Sequence, residues 1–252
     1  MTEIIAVANQ KGGVGKTTTA INLGTSLASF EKRVLVIDFD PQGNTTSGLG
    51  IDKNSLTHDV YDIIAKKVPV EKAVIKKHLD CLHIIPATMD LAGFDTEFSD
   101  YDNREYILKS YLKDFSENFD YCLIDCPPSL SLLTLNSLVF ANSVIIPVQC
   151  EFFSMEGVAQ LLTTIDIIKK NFNPDLKIKG ILMTMHDKRT NLSNQVLEEA
   201  KKYFGKYIFN TTISRSIRLG ESPSHGKPIM LYDIRSVCSE QYLKLAEEIV
   251  CL

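Results

Sequence analysis

At 252 residues, 44% of them hydrophobic, the chain has enough apolar mass to bury roughly 70–75% of its unfolded surface without disulfides or structural metals. Charged residues make up 23%, and the 9 prolines and 13 glycines are dispersed, which excludes a disordered chain or a repeat array. The net charge of −4 is uneven: residues 186–235 hold nine Lys/Arg against five Asp/Glu, so this late segment is basic and the remainder acidic.

Taken in chain order, short runs rich in Ile and Val fall at residues 4–8, 34–37, 82–85, 121–124, 144–148 and 178–183. They read as buried parallel strands. Helical patterns lie between them: Ala20, Leu23, Gly24, Leu27 and Ala28 make one apolar face, and Met155, Val158, Leu161, Leu162 and Ile165 make another. The alternation predicts an α/β fold, a doubly wound and mostly parallel sheet with helices on both faces, in one domain over residues 1–252. Ligands of such sheets bind beyond the carboxyl ends of the strands, which directs attention to the loops after Ala8, Ile37, Ile124 and Met185. No run approaches the roughly 18 apolar residues of a membrane span, and Met1-Thr2-Glu3 carries no basic leader, so a cytoplasmic protein that does not enter a membrane is expected. The six cysteines include no C-x-x-C pair and the five histidines lack ligand spacing, which points to reduced core thiols and to no metal site made of protein ligands alone.

The loop after the first strand is Asn9-Gln10-Lys11-Gly12-Gly13-Val14-Gly15-Lys16-Thr17-Thr18, with a helix expected to begin near Lys16. Glycines let successive backbone N–H groups turn inward, and a helix N-terminus adds the positive end of its dipole. Residues Lys11, Gly12, Gly13, Val14, Gly15, Lys16, Thr17 and Thr18 are therefore expected to cradle a nucleotide, with Lys16 bridging the β- and γ-phosphates and the Thr17 hydroxyl on Mg²⁺. The spacing departs from G-x-x-x-x-G-K-[ST]: Gln10 stands at the first glycine position, and a second lysine appears at Lys11. From the start of the loop Lys11 can extend toward the phosphates of a second subunit, which would make ATP the glue of a dimer. Two further strand ends supply carboxylates. Asp40, in Asp38-Phe39-Asp40-Pro41-Gln42-Gly43-Asn44, is expected to orient the attacking water, and Asp125, in Asp125-Cys126-Pro127-Pro128-Ser129, to hold the Mg²⁺ shell.

With these three loops in hand the chain closely resembles the ParA/Soj family of partitioning ATPases, in the deviant Walker-A group that also holds MinD. The likeness runs nearly end to end and includes Asp40-Pro41-Gln42-Gly43-Asn44-Thr45-Thr46-Ser47-Gly48-Leu49-Gly50, Leu133-Thr134-Leu135-Asn136 and Pro223-Ser224-His225-Gly226-Lys227-Pro228-Ile229. The resemblance implies Mg²⁺-dependent ATP hydrolysis that is weak until a ParB-type centromere-binding protein stimulates it. It implies an ATP-bound sandwich homodimer that binds double-stranded DNA without sequence preference, and chromosome or plasmid segregation on the nucleoid. Carried over residue by residue, it makes Lys11 the lysine reaching across the dimer, Lys16 and Thr17 the phosphate and Mg²⁺ ligands, and Asp40 the hydrolytic carboxylate. It places Arg189 and Arg218, with Arg215 between them, on DNA; all three lie in the basic segment. Where many relatives read Ile-Pro-Arg-Asn-Val-Arg, this chain has Ile213-Ser214-Arg215-Ser216-Ile217-Arg218, which puts Ser214 and Ser216 beside the expected adenine pocket.

Two rival readings share the phosphate loops. A MinD-like membrane-cycling ATPase would need a basic amphipathic tail, but here the apolar face of Tyr242, Leu245, Ala246, Ile249 and Val250 is accompanied by Glu240, Glu247 and Glu248 against Lys244, so this helix is expected to pack on the body. A nucleotide-switched regulator of replication initiation would act by contact alone.

Overall fold

The computed structural model describes residues 2–151 and 154–251, with the side chains of 154–156 outside the description; Met155, expected on a helix face, therefore falls outside it. All six expected strands form: β1 (Glu3–Val7), β2 (Val34–Asp38), β4 (Leu82–Ile85), β5 (Tyr121–Asp125), β6 (Ser143–Gln149) and β7 (Lys177–Thr184). A two-residue strand, β3 (Ile75–Lys76), pairs antiparallel with β4 at one edge; two residues are too few to show a period in the sequence. The sheet order is β3-β4-β2-β5-β1-β6-β7, and every other pairing is parallel.

Why the strands read as unbroken apolar runs is visible in their packing. Ile5, Val36, Leu123 and Ile145 point to one face of the sheet, and Ile4, Ala6, Leu35, Ile37, Cys122, Ile124, Val144 and Ile146 to the other. Both faces are covered, as a parallel sheet requires. On the first face lie helix α1 (Lys16–Ser29) and the last helix, whose Tyr242, Leu245, Ala246 and Ile249 join that core. The opposite face packs against Leu108 and Leu112, then Leu133 and Leu138, then Val158, Leu161 and Ile165 from three successive helices.

The α1 pattern suggested a single apolar stripe, but the helix is buried nearly all round, from Thr19 to Ala28. It is wedged between the sheet, the last helix and the short helix α2 (Asn44–Gly48). Gly24 permits the closest approach, since a Cβ there would stand 2.8 Å from Val36 Cγ2. The last helix packs on the body as expected, and its Tyr242 hydroxyl meets Thr19 Oγ1 at 3.4 Å. No described helix is long and apolar enough to cross a membrane.

Candidate nucleotide site and arginine face

Between the end of β1 and the start of α1, Gly15 takes φ 94° and ψ 24°, a left-handed turn that only glycine enters without strain. No side chain caps α1, so its first N–H groups are left for a ligand. The carbonyls of the loop are tied down on the other side. Gln149 Nε2 donates to Gly13 O at 2.7 Å, and Thr184 Oγ1 donates to Val14 O at 2.8 Å. Asn9 Oδ1 accepts from the Lys11 N–H at 3.0 Å while its amide donates to Pro147 O at 2.7 Å. With its carbonyls bound to β6, β7 and their neighbours, the loop turns its amides toward a cleft of about 260 Å³. Gly12, Gly13 and the stretch from Gly15 to Thr18 line one side of that cleft; Asp40, Asn44, Pro128 and Met185 line the other. Val14 is the exception among the expected cradle residues, because its side chain is buried in the core and it can offer only backbone.

The two lysines of the loop diverge. Lys16 is buried and folds back, donating from Nζ to Lys11 O at 3.1 Å. Burial weakens its hold on the proton, and the facing carboxylates of Asp125 and Asp40 oppose that shift. Lys11 stays at the rim with its side chain 41% exposed, and its Nζ lies 3.5 Å from Glu151. The same Glu151 carboxylate stands 3.7 Å from Arg215, so it joins the loop lysine to the basic segment.

Two fully buried acids end the neighbouring strands. Asp38 and Asp125 are partners in register across β2 and β5. Asp125 Oδ2 accepts from the Thr17 and Thr45 hydroxyls, both at 2.7 Å, whereas its Oδ1 is buried with no partner among the described residues. That unpartnered oxygen, on the carboxylate that meets the Thr17 hydroxyl, could accept from a cation's water shell, and the pair of residues fits a Mg²⁺ site. Asp38 is satisfied instead by Thr46, whose N–H and hydroxyl donate to Oδ2 at 2.8 and 2.7 Å. Desolvation raises the pKa of both acids, with the other carboxylates of the cluster adding to the rise. Asp40 is nearly buried, and its Oδ1 accepts from the Gln42 N–H at 2.9 Å.

A second hollow of about 310 Å³ adjoins the cradle and shares Gly15, Thr18 and Met185 with it. Met185 takes φ 53°, a costly conformation for a long side chain, at the boundary between the two. Ser214 and Ser216 both line this hollow. Each already has work within the chain: Ser214 Oγ accepts from Gln241 Nε2 at 2.8 Å, and Ser216 caps the following helix, α3 (Ile217–Glu221), through Leu219 N at 3.3 Å. Arg189, Arg215 and Arg218 converge on one shallow concavity. Each is exposed and paired: Arg189 in a fork on Asp187 at 2.9 and 2.8 Å, Arg218 more loosely with Glu221 at 3.8 Å and Asp233 at 4.0 Å.

Comparison with known proteins shows the family of the chain. An AAA-domain family model matches residues 2–178. The chain is 53% identical to the sporulation initiation inhibitor protein Soj of Bacillus subtilis, covering 99% of this chain and 98% of that protein. It is 51% identical to the chromosome partitioning protein ParA of Myxococcus xanthus, over 98% of this chain and 87% of the relative. The chain belongs to the ParA/Soj family of partitioning ATPases. Among solved structures, a Mycobacterium smegmatis protein described as cobyrinic acid a,c-diamide synthase, holding an ATP analogue and magnesium, is similar at 36% identity and a TM-score of 0.86, over 98% of this chain and 93% of that one.

Asp40 and Asp125 stand out in the sequence as carboxylates at strand ends, whereas Asp38, Thr45, Thr46, Gln149 and Thr184 receive no role there. An Asp-x-Asp at the end of a strand, followed by paired threonines, was a usable local signal for the first three. Gln149 and Thr184 reach the loop from strands more than a hundred residues away, and nothing local marks them.

Proposed function

We propose that this ParA/Soj protein partitions DNA by using Mg²⁺-ATP to assemble a homodimer that grips the duplex, and that hydrolysis stimulated by a ParB-type partner releases it. The observation that carries this reading is the divergence of the two loop lysines: Lys16 is buried at the cradle, while Lys11 stands exposed at its mouth. From the rim Lys11 can exchange Glu151 for the phosphates of a second copy, a reach that buried Lys16 does not have.

Bound Mg²⁺-ATP supplies the electrophilic γ-phosphorus and the leaving diphosphate. The chain supplies positioning and charge, which is most of what phosphoryl transfer needs. Backbone N–H groups from Gly12 to Thr18 and the Lys16 ammonium would hold the phosphates. Thr17 would turn its hydroxyl from Asp125 to the cation, and Asp125 Oδ1 would order the cation's water. Asp40, on the facing wall of the cleft, would orient the attacking water. Lys11 would leave Glu151 for the phosphates of the second copy. The hollow bounded by Ser214, Ser216 and Met185 would take the adenine.

Arg189, Arg215 and Arg218 would bind DNA phosphates without reading bases. Their present ion pairs lie at the exposed surface, where salt screens them, so a polyphosphate can compete for them. The working place of such a protein is the nucleoid in the cytoplasm. Sedimentation of the protein with ADP, ATP or a slowly hydrolysed analogue, each with and without DNA, tests the proposal: co-sedimentation confined to the triphosphate states supports it, and nucleotide-independent binding refutes it.

A further inference from the structure

We infer that Asp38 is a positioning residue for hydrolysis: from inside the sheet it sets where the Asp40 carboxylate stands and holds the α2 arm against the magnesium-facing Asp125. The inference rests on the reading of Asp40 as the residue that orients water.

Asp38 is the last residue of β2 and is wholly buried. Three donors converge on it. The Thr46 N–H and hydroxyl meet Oδ2 at 2.8 and 2.7 Å, and the Asp40 N–H meets Oδ1 at a longer 3.4 Å. Thr46 Oγ1 also accepts from the Ala87 N–H at 3.0 Å, which extends the anchor to the end of the neighbouring strand β4. Neighbouring Thr45 donates to Asp125. Consecutive threonines of α2 are thus pinned by two acids that face each other in register, one at Thr45 and one at Thr46.

The two acids divide the work. Asp125 keeps an unpartnered oxygen, while Asp38 has both oxygens engaged by the backbone and side chain of the loop that carries Asp40. Placing a second carboxylate in a dry site beside the first is electrostatically unfavourable, and an apolar residue would fill the volume without that penalty. What an apolar residue cannot do is bind the Thr46 and Asp40 amides. Among the described residues the Asp40 side chain has only the turn contact to Gln42 N to steady it, so its placement depends on where the backbone is held.

The test compares Asp38→Ala, Asp38→Asn and Asp40→Ala in the full-length protein with Mg²⁺-ATP. A misplacement of about 1 Å at a reacting group can lower turnover on the order of 10²-fold. Asp38→Ala is expected to lower kcat by roughly that factor while ATP affinity stays within about threefold, because the cradle from Gly12 to Thr18 is untouched. Asp38→Asn retains an acceptor for Thr46 but loses the one that meets the Asp40 N–H, and is expected to recover kcat only in part, to between Asp38→Ala and wild type. In the nucleotide-free protein, amide hydrogen exchange at Asp40 and Thr46 should quicken at least about tenfold in Asp38→Ala, with α1 unchanged. Thr46→Val serves as the second probe should Asp38→Ala fail to fold, and the same loss of kcat at constant ATP affinity is expected of it. Wild-type kcat in Asp38→Ala overturns the inference, as does a parallel loss of ATP affinity, thermal stability and kcat that Asp38→Asn does not rescue. If Asp40→Ala turns over normally, the Asp40 reading has failed; if Asp40→Ala stalls while Asp38→Ala does not, only the positioning role has failed.

Discussion

The phosphate cradle and the arginine face lie close together and are built on opposite terms. In the cradle, Lys16, Asp38, Asp40 and Asp125 are almost wholly buried, and the loop carbonyls are fixed by Gln149 and Thr184. On the arginine face, Arg189, Arg215 and Arg218 have side chains 89, 65 and 61% exposed, with ion pairs that lie at the surface. A buried charge is costly to leave unmatched, so each cradle residue should behave as a switch that is present or absent. An exposed cation adds one screened interaction among several, so the arginines should behave as increments.

The sharpest way to break this contrast is Lys16→Ala. Removing the only buried cation of the cleft should weaken Mg²⁺-ATP binding roughly 10²-fold or more, since each hydrogen bond from a charged donor is worth about 1.5–3 kcal/mol. A fluorescent-nucleotide titration measures it, and near wild-type affinity would show that the amides alone hold the phosphates. Next in size is Asp40→Ala, expected to keep ATP but slow its hydrolysis by about 10²–10⁴-fold and so trap the dimer. Single-turnover hydrolysis together with light scattering separates the two effects.

Gly12→Val probes the mouth of the cradle. A Cβ at Gly12 meets nothing within 4 Å in the single chain, so the variant should fold with unchanged thermal stability. Its side chain projects where the phosphates or a second copy would approach, and light scattering with ATP should show no dimer. A smaller, graded effect is expected of Arg189→Ala and Arg218→Ala, each lowering DNA affinity about equally on all sequences and reducing the salt slope by roughly 0.9 for each DNA phosphate that is no longer neutralised. A sequence-dependent loss would assign these residues to base reading instead.

The smallest effect concerns pH. Burial raises the proton affinity of Asp38 and Asp125 in the folded chain. Their contribution to stability is therefore complete below the unfolded carboxylate pKa of about 4 and declines as pH rises above it. Asp38→Asn removes one of the two charges and should flatten that decline in the nucleotide-free protein. Melting curves across acid to neutral pH would show the variant gaining on wild type as pH increases; a constant difference would mean the buried pair does not titrate differently on folding.

Much of the fold was legible because parallel strands buried on both faces leave unbroken Ile/Val runs, and six of seven were read within two residues of their ends. The edge strand Ile75–Lys76 was not, because its two residues carry no period. The cradle was legible because its residues are contiguous from Gly12 to Thr18. What escaped was everything supplied from afar: Gln149 and Thr184 on the loop carbonyls, and the pairing of Asp38 with Asp125, which exists only because β2 and β5 lie side by side in register. Ser214 and Ser216 stand near the expected adenine pocket only through the resemblance to relatives that read Ile-Pro-Arg-Asn-Val-Arg, and their bonds to Gln241 and Leu219 appear only in three dimensions.

The most direct test of the whole account is analytical ultracentrifugation of the purified protein saturated with Mg²⁺ and a slowly hydrolysed ATP analogue, with ADP as the control. A shift from monomer to dimer with the triphosphate alone, abolished in Gly12→Val, is the result expected if Lys11 and the cradle act across two copies. A protein that remains monomeric with the triphosphate bound would contradict it.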